Sequence, residues 1–432
     1  MKVGFTIATG GDPRLYGIPL SLGYCAAVLK QEMPGVQILI TQKPNDMVGF
    51  RPDIVGISCV SSCFPDARRQ AIRIKRLMPD TVTVLGGPQI TALPELLPPE
   101  FDYGVIWEGE DTFAELCQVI LGKGDTAKVA GLCYHLNGEV LKTAVRQPRK
   151  SMDSLPFPLR SRNDYRPQEA CIFTSRGCPF KCIFCASTRY WADFRMFTPE
   201  YFIDELQHIL EQFPKTTSIY ILDDLFIAKK ERFRKMVNLL EKTGLSKRLT
   251  FHGFIKSSIT DDDMMDLLKR MPMRSVRFGL ESASPKILNK MKGNSSVDDH
   301  VRCIELANKY GIRCGGSWMV GSPGETEEDL MMTIRFMKRW KTKGLRTEGF
   351  YLATPLPSTP LWDYALERGV VENSLDFDWT RLNLDWCNPD FNPDRACYLN
   401  DENMPIQGLI DILVRENVRK SAVGKYQKAV SH

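Results

Sequence analysis

"TSRGCPFKCIFCAS", residues 174–187, places Cys178, Cys182 and Cys185 within eight positions, with three and then two residues between them. Thiolates are soft ligands suited to zinc or to iron–sulfur clusters. A structural zinc site takes four ligands, commonly as two pairs at opposite ends of a small module, and no partner pair of cysteines lies nearby. The five histidines, His135, His208, His252, His300 and His432, all lie more than twenty residues from the trio. Three thiolates at the corners of a 4Fe–4S cubane leave one iron open to a small-molecule ligand, and that iron is the chemically active position. An anchored cluster is the expectation; a zinc knuckle or a chance grouping of core cysteines is the alternative.

The bulk of the chain agrees with a folded protein of two or three domains: 432 residues, 43% apolar and 10% aromatic. Thirteen cysteines, an odd number, read as core residues plus metal ligands in a reducing compartment rather than as a disulfide framework. The opening "MKVGFTIATGGDPRLYG" matches neither a signal nor a transit peptide. No window approaches the ~18 uncharged apolar residues of a membrane span, so a cytoplasmic protein with no membrane partner is expected. The net charge of +5 is spread over 57 basic and 52 acidic residues without a dense basic run, and nucleic acid is not indicated as a partner.

Outward from the cysteines, two alternating series of strands and helices can be read. Residues 1–125 carry "KVGFTIA", "VQILITQ", "DIVGISC", "TVTVLGGP" and "YGVIWEGE" between helical stretches, the pattern of a doubly wound, Rossmann-like parallel sheet. Its strands end in turns around Ser58 and Ser61, Gly86-Gly87-Pro88, and Glu108-Gly109-Glu110, where ligands of such sheets bind. Residues 126–168 read as a hairpin around Asn137-Gly138 followed by a linker rich in Pro, Arg and Ser. From 169 to 356 six further strands alternate with amphipathic helices, one opened by Thr198 as N-cap with Pro199 following. Six such units predict a partial TIM-type (β/α)6 barrel with functional groups at the carboxyl ends of its strands. Residues 357–432, with looser patterning, are expected to cap the barrel as a small carboxyl-terminal region carrying Trp362, Trp379, Trp386, Phe391, Cys387 and Cys397.

The CxxxCxxC motif at the end of the first barrel strand resembles the signature of the radical S-adenosylmethionine (SAM) superfamily. The resemblance implies that the amino group and carboxylate of SAM chelate the open iron of a 4Fe–4S cluster. An electron from the cluster then cleaves the sulfonium, and a 5'-deoxyadenosyl radical abstracts hydrogen from substrate. It also implies site residues: Phe184 near the adenine, Asp223 and Asp224 near the SAM amino group, and Lys256 paired with its carboxylate. Glu281 and Ser282 match positions that contact ribose and carboxylate, and Gly321, in "WMVGSPGETEEDL", lets bare backbone approach the nucleoside. The alternatives are a helix N-terminal carboxylate for Asp224 and a solvated strand end for Lys256.

The first series resembles the cobalamin-binding domain that precedes the barrel in one large subgroup, and the resemblance covers residues 1 to about 360. It implies that the turns at Ser58, Gly86-Gly87-Pro88 and Glu108-Gly109-Glu110 cradle the corrin and its nucleotide tail. No Asp-x-His-x-x-Gly follows the first strand, so cobalt is expected to lack a histidine ligand. Cys63, Phe64 and Arg68 either face that lower side or are ordinary helix-start residues. The function expected is a cobalamin-dependent radical SAM methyltransferase acting on carbon or phosphorus of a small molecule through methylcobalamin, with an external flavodoxin- or ferredoxin-type electron donor. The alternatives are the same architecture without methylation (rearrangement, cyclisation or aminocarboxypropyl transfer), tRNA methylthiolation with Cys25, Cys59 and Cys63 on a second cluster, and a non-enzymatic sensor.

Overall fold

A computed structural model describes residues 1–10, 20–160, 168–191, 193–382, 392–400 and 402–418. Trp386, Cys387 and Phe391 lie outside the described residues. The chain forms two compact units, one of Met1–Arg166, Arg189–Ala192 and Glu372–Thr380, the other of Pro167–Thr188, Asp193–Val371 and Arg381–His432.

The first unit alternates β1 (Lys2–Ile7), α1 (Leu20–Glu32), β2 (Gln37–Ile40), α2 (Pro44–Phe50), β3 (Ile54–Ser58), α3 (Phe64–Leu77), β4 (Val82–Gly86), α4 (Pro88–Ala92), β5 (Tyr103–Val105) and α5 (Gly109–Ile120). The first five strands pair in parallel in the order β2-β1-β3-β4-β5. β1 and β3 are continuous buried runs, as parallel strands covered on both faces must be. α3 turns Phe64, Ala67, Ala71 and Ile74 inward at helical spacing. The predicted hairpin is present as β6 (Leu132–Leu136) and β7 (Glu139–Lys142), with Asn137 at φ 51° and Gly138 at φ 86° in a primed turn. Rather than standing in the linker, it adds to the sheet: β6 pairs antiparallel with β5. β5 would otherwise be an unpaired edge, and the hairpin covers it.

A second departure concerns the carboxyl-terminal region. Residues Glu372–Thr380 pack with the first unit, where Trp379 meets Phe64 edge-on at 5.7 Å and Phe377 at 5.0 Å. Trp379 therefore seals the start of α3, and the expectation that it caps the barrel is corrected.

The second unit opens with β8 (Glu169–Ile172), a two-residue ladder of β9 (Ser175–Arg176) with β10 (Arg195–Met196), and between these the single turn α6 (Ser187–Tyr190), which ends in the first unit. The main elements follow: α7 (Pro199–Gln212), β11 (Ser218–Ile221), α8 (Lys230–Lys242), β12 (Thr250–Ile255), α9 (Asp262–Arg270), β13 (Met273–Glu281), α10 (Pro285–Met291), α11 (Val297–Tyr310), β14 (Arg313–Val320), α12 (Glu327–Lys341), β15 (Arg346–Leu352), α13 (Pro360–Glu367) and α14 (Ile406–Arg415). Six parallel strands stand in chain order, β8-β11-β12-β13-β14-β15, and the two ends do not pair, which is the predicted partial barrel. Helix starts are fixed locally. Thr198 caps α7, and Ser296 and Thr326 form reciprocal capping boxes with Asp299 and Asp329. On the helix-facing side Phe251, Val276, Phe278, Leu280 and Trp318 are buried, with Trp318 packed on Phe336 of α12 at 5.9 Å. Each such side chain contributes about 1.5–3 kcal/mol. Trp362 of α13 is buried in the same way.

Candidate functional site

The loop that follows β8 carries the three cysteines, and it is held from behind. Thr174 and Ser175 both turn toward Asp223, at the end of β11. The Asp223 carboxylate accepts from Thr174 N at 2.6 Å, Thr174 Oγ1 at 2.5 Å and Ser175 Oγ at 2.6 Å. Arg232 donates to the carbonyls of Thr174 and Phe197, both at 2.8 Å. Beyond the turn closed by Cys185 N on Cys182 O at 3.2 Å, Ile183 N donates to Met291 O and Leu361 N to Ile183 O. The loop is thus tied to strand β11, to the end of α10 and to α13.

Burial raises the affinity of all three thiols for their protons, pushing Cys185 up to about 12, and each feels the charge of at least one other member of the trio or of its lysines. For Cys182 the opposing influences are the ammonium groups of Lys292 and Lys256. Metal binding requires thiolates, so a cation-lined setting favours the ligating form. Among the described residues no three His, Cys, Asp or Glu side chains converge on one ion.

Lys256, at the end of β12, is buried, not a solvated strand end. Its ammonium lies 3.5 Å from the centroid of the Phe180 ring and has no hydrogen-bond acceptor among the described residues. Burial, then the charge of Lys292, draws its pKa down. A buried cation without an anion is costly, and this one stands beside Cys178 and Cys182. Glu281, at φ 64° where the β13–β14 register slips, keeps 14% of its side chain exposed and has its carboxylate 3.5 Å from Lys292 Nζ. Burial pushes the Glu281 carboxyl up and Lys292 opposes it. Lys292 also donates to Gly279 O, and its own carbonyl lies 3.8 Å from Cys182 Sγ.

The remaining predicted positions divide. Asp224 is exposed and its charge is felt by Cys178 and Cys185. The next helix begins only at Lys230, so its carboxylate does not answer a helix dipole. The Asp223 carboxylate is held by Thr174 and Ser175, and through them it orients the loop. Ser282 is likewise committed, to Thr333 Oγ1 at 3.1 Å and to the backbone of Ser284 at 3.1 Å, because the chain leaves β13 directly beneath α12. Phe184 is half-buried inside the loop. Gly321, at φ 71°, has no room for a side chain, since a Cβ would stand 2.6 Å from the Tyr398 ring. Phe180 and Lys292 were not legible as site residues. Lys292 is 110 residues from Cys182 and nothing in "NKMKGN" marks it.

Below Gly321, Glu325 is buried and accepts from Gly321 N at 2.6 Å and Ser322 N at 3.2 Å, while Oε1 has no partner among the described residues. Burial pushes its carboxyl up to about 8. An acid raised above its unfolded value of about 4.5 binds more protons folded than unfolded. Its contribution to stability is therefore complete below pH ~4.5 and lost as pH rises through ~8. Glu325→Gln keeps both acceptor bonds without a charge to desolvate. The variant is expected to lose less stability between pH 5 and 8 than the parent, by on the order of a few kcal/mol, measured by anaerobic urea denaturation at each pH. Parallel profiles would refute this.

In the first unit, the carboxyl end of the sheet opens a crevice of roughly 510 Å³ at the β1/β3 switch point. Ser58, Gly86, Gly87 and Gly109 line it, with Phe5, Cys25 and Trp107. Gly87, at φ 96°, is required: a Cβ would stand 2.7 Å from Cys59 O and 2.8 Å from Ser58 Oγ. Trp107 holds φ 66°, its amide donating to Thr91 Oγ1 at 2.8 Å, a strained setting for a bulky residue. Glu108 and Glu110 line a neighbouring polar recess, whereas Ser61 and Pro88 line neither. Cys63 is buried, Phe64 packs on Trp379, and Arg68 binds Glu100 at 2.5 Å and Leu375 O at 3.2 Å, so these three serve the helix start. Cys59 is buried, which raises its thiol pKa, and Cys25 sits apart on α1. His135 reaches Pro98 O at 3.4 Å and supplies no ligand to the crevice.

A three-thiol loop at the mouth of a partial parallel barrel, on a chain with a separate doubly wound ligand-binding sheet, defines a two-cofactor enzyme architecture. The Radical SAM superfamily profile matches residues 172–337 and the B12 binding domain profile residues 8–117. An uncharacterized methyltransferase of Pyrococcus horikoshii is 31% identical over 383 residues, 84% of this chain and 81% of the relative. The anaerobic magnesium-protoporphyrin IX monomethyl ester cyclase of Rubrivivax gelatinosus is 25% identical over 83% of this chain and 68% of its own length. Among solved structures, the radical SAM methyltransferase TsrM of Kitasatospora setae, with cobalamin and a 4Fe–4S cluster bound, superposes with a TM-score of 0.71 at 19% identity, covering 87% of this chain and 76% of that one. The chain belongs to the radical SAM superfamily, in the group with an amino-terminal B12-binding domain. It is a radical SAM enzyme, and its two domains call for a 4Fe–4S cluster, SAM and cobalamin.

Proposed function

We propose that this enzyme is a cobalamin-dependent methyltransferase acting on an unactivated carbon, or on phosphorus, of a small molecule. The observation that carries the reading is the union, on one chain, of the three-thiol loop with an orphaned ammonium beside it and a glycine-floored crevice lacking any histidine ligand. When bound, the cluster and SAM supply a carbon-centred radical and cobalamin supplies a methyl carrier. The protein's part is positional. Cys178, Cys182 and Cys185 hold the cluster, and Lys256 receives the carboxylate of SAM, which would relieve its burial without a partner. Lys292 and Glu281 form the fixed charge pair behind Cys182. In the first unit Ser58, Gly86, Gly87 and Gly109 admit the corrin and its tail close to bare backbone. An external one-electron donor and a cytoplasmic, reducing setting go with this chemistry. No helix among the described residues is long and apolar enough to cross a membrane.

The cyclase relatives favour a second reading, radical chemistry without methylation. The test is anaerobic reconstitution with iron, sulfide and hydroxocobalamin, followed by reduction in the presence of methyl-labelled SAM. Methyl transfer predicts S-adenosylhomocysteine in at least one equivalent per bound corrin, together with 5'-deoxyadenosine. Formation of 5'-deoxyadenosine alone, with corrin bound, would hand the case to the cyclase-like reading.

A further inference from the structure

In a filled (β/α) barrel the inward side chains are mostly branched aliphatics packed solid. The inner face of this sheet is built otherwise. Gly279, Gly315 and Gly349 lie on β13, β14 and β15, and a Cβ at each would collide with an arm folded across it: Glu281 with Lys292, Glu348, and Tyr351. Much of the floor there is bare backbone under polar arms. The apolar residues that face inward remain uncovered, with Phe254 40% and Leu222 45% exposed.

Beside Phe254, one strand further on, stands Arg277. Phe254, Arg277 and Gly315 are register neighbours on β12, β13 and β14. The guanidinium carbon lies 5.8 Å from the Phe254 ring centroid and 6.0 Å from that of Tyr220, which itself stacks on His252 at 4.7 Å. Two aromatic faces thus fix the guanidinium in place. Its Nε edge faces Glu348 at 3.5 Å, an ion pair rather than a close hydrogen bond. Among the described residues the two Nη groups donate to no partner, so the planar fork is available. The neighbouring His252 is held below its ordinary pKa by burial and by Arg274, Arg313 and Arg277, against the single opposing charge of Glu169.

We infer that the inner face takes a substrate with a planar, unsaturated or aromatic portion, laid on Phe254 and Leu222, and an oxyanion, carboxylate or phosphonate, held on the Arg277 fork. The inference rests on the radical SAM reading and adds the substrate class to it. Arginine matches both oxyanions in two-pronged geometry, whereas lysine offers only a point charge.

The test uses reconstituted enzyme with SAM bound and three probes of one shape: 1-naphthoate, 1-naphthylphosphonate and the neutral 1-naphthylmethanol. Binding is read by equilibrium dialysis, and cluster absorbance and SAM cleavage are recorded on the same samples. At least one acid is expected to bind roughly tenfold or more tightly than the alcohol, the value of a charge-assisted hydrogen bond, and the tighter acid identifies the oxyanion. Arg277→Met is expected to erase the preference and Arg277→Lys to retain part of it, both with the cluster absorbance of the parent. Phe254→Ala should weaken all three probes alike. Equal binding of acid and alcohol by the parent enzyme, or an acid preference that survives in Arg277→Met, overturns the inference. Absence of cluster or of SAM cleavage in the parent would instead strike the function from which it starts.

Discussion

Cys182→Ala is expected to yield folded protein that lacks the broad visible absorption of an iron–sulfur cluster and cleaves SAM no faster than background. Cys182 is the central thiol of the motif and the one nearest the cationic pair. Lys292 and Lys256 both oppose the burial of its charge, and Lys292 O approaches its sulfur. Alanine removes one of three protein anchors and leaves Lys256 with Cys178 alone and Lys292 with Glu281. The backbone ties on either side, Ile183 N to Met291 O and Leu361 N to Ile183 O, do not depend on the sulfur, so the loop keeps its course. Iron and sulfide per chain after anaerobic reconstitution, and 5'-deoxyadenosine formed on reduction, are the measurements. Cys303→Ala is the control. That thiol is buried and donates to His300 O at 3.2 Å, inside the helical layer, and its loss should leave iron content at the parent level. A Cys182→Ala protein with a full complement of iron and sulfide that still cleaves SAM would remove the basis of the assignment.

Why the cysteines were legible and Lys292 was not follows from the range of the signals. Three thiols in eight positions form a local pattern, as do the Thr198-Pro199 start of α7 and the Asn137-Gly138 turn. The order of six strand–helix units is legible for the same reason, since each unit declares its own period. Lys292 and Phe180 enter the site only because α10 and the cysteine loop pack together around the strand ends, a contact with no sequence period. Ser282 and Asp223 show the converse. Their position at strand ends is local and readable, but whether a polar side chain turns to ligand or to scaffold depends on which donors the fold brings near. Thr333 and the pair Thr174 and Ser175 decide that. The stretch 372–380 misled for a related reason: its aromatics mark a packing surface, and sequence does not say whose.

Asp223 provides the second large effect, and its two substitutions separate scaffold from ligand. Its carboxylate is buried and collects three donors, Thr174 N, Thr174 Oγ1 and Ser175 Oγ. Asp223→Ala strands Thr174 N and Thr174 Oγ1, while Ser175 Oγ falls back on Leu225 O at 3.3 Å, and an unsatisfied buried donor costs about 1–3 kcal/mol. A total loss of roughly 3–5 kcal/mol in anaerobic urea denaturation is expected, with iron content falling because the segment leading into Cys178 loses its anchor. Asp223→Asn keeps an oxygen acceptor for Thr174 N, and its amide can donate to hydroxyl oxygens that rotate to accept. Burial pushes the Asp223 carboxyl up to about 6, outweighing the bonds from Ser175 and Thr174. The folded protein therefore binds more protons than the unfolded chain between pH ~3.8 and ~6, and stability falls as pH rises through that window. Asparagine carries no charge to desolvate, so Asp223→Asn should show less of that fall and near-parental iron content at neutral pH. If asparagine proves as damaging as alanine to iron content and SAM binding while stability is preserved, the negative charge itself is needed, and Asp223 faces a cationic ligand after all.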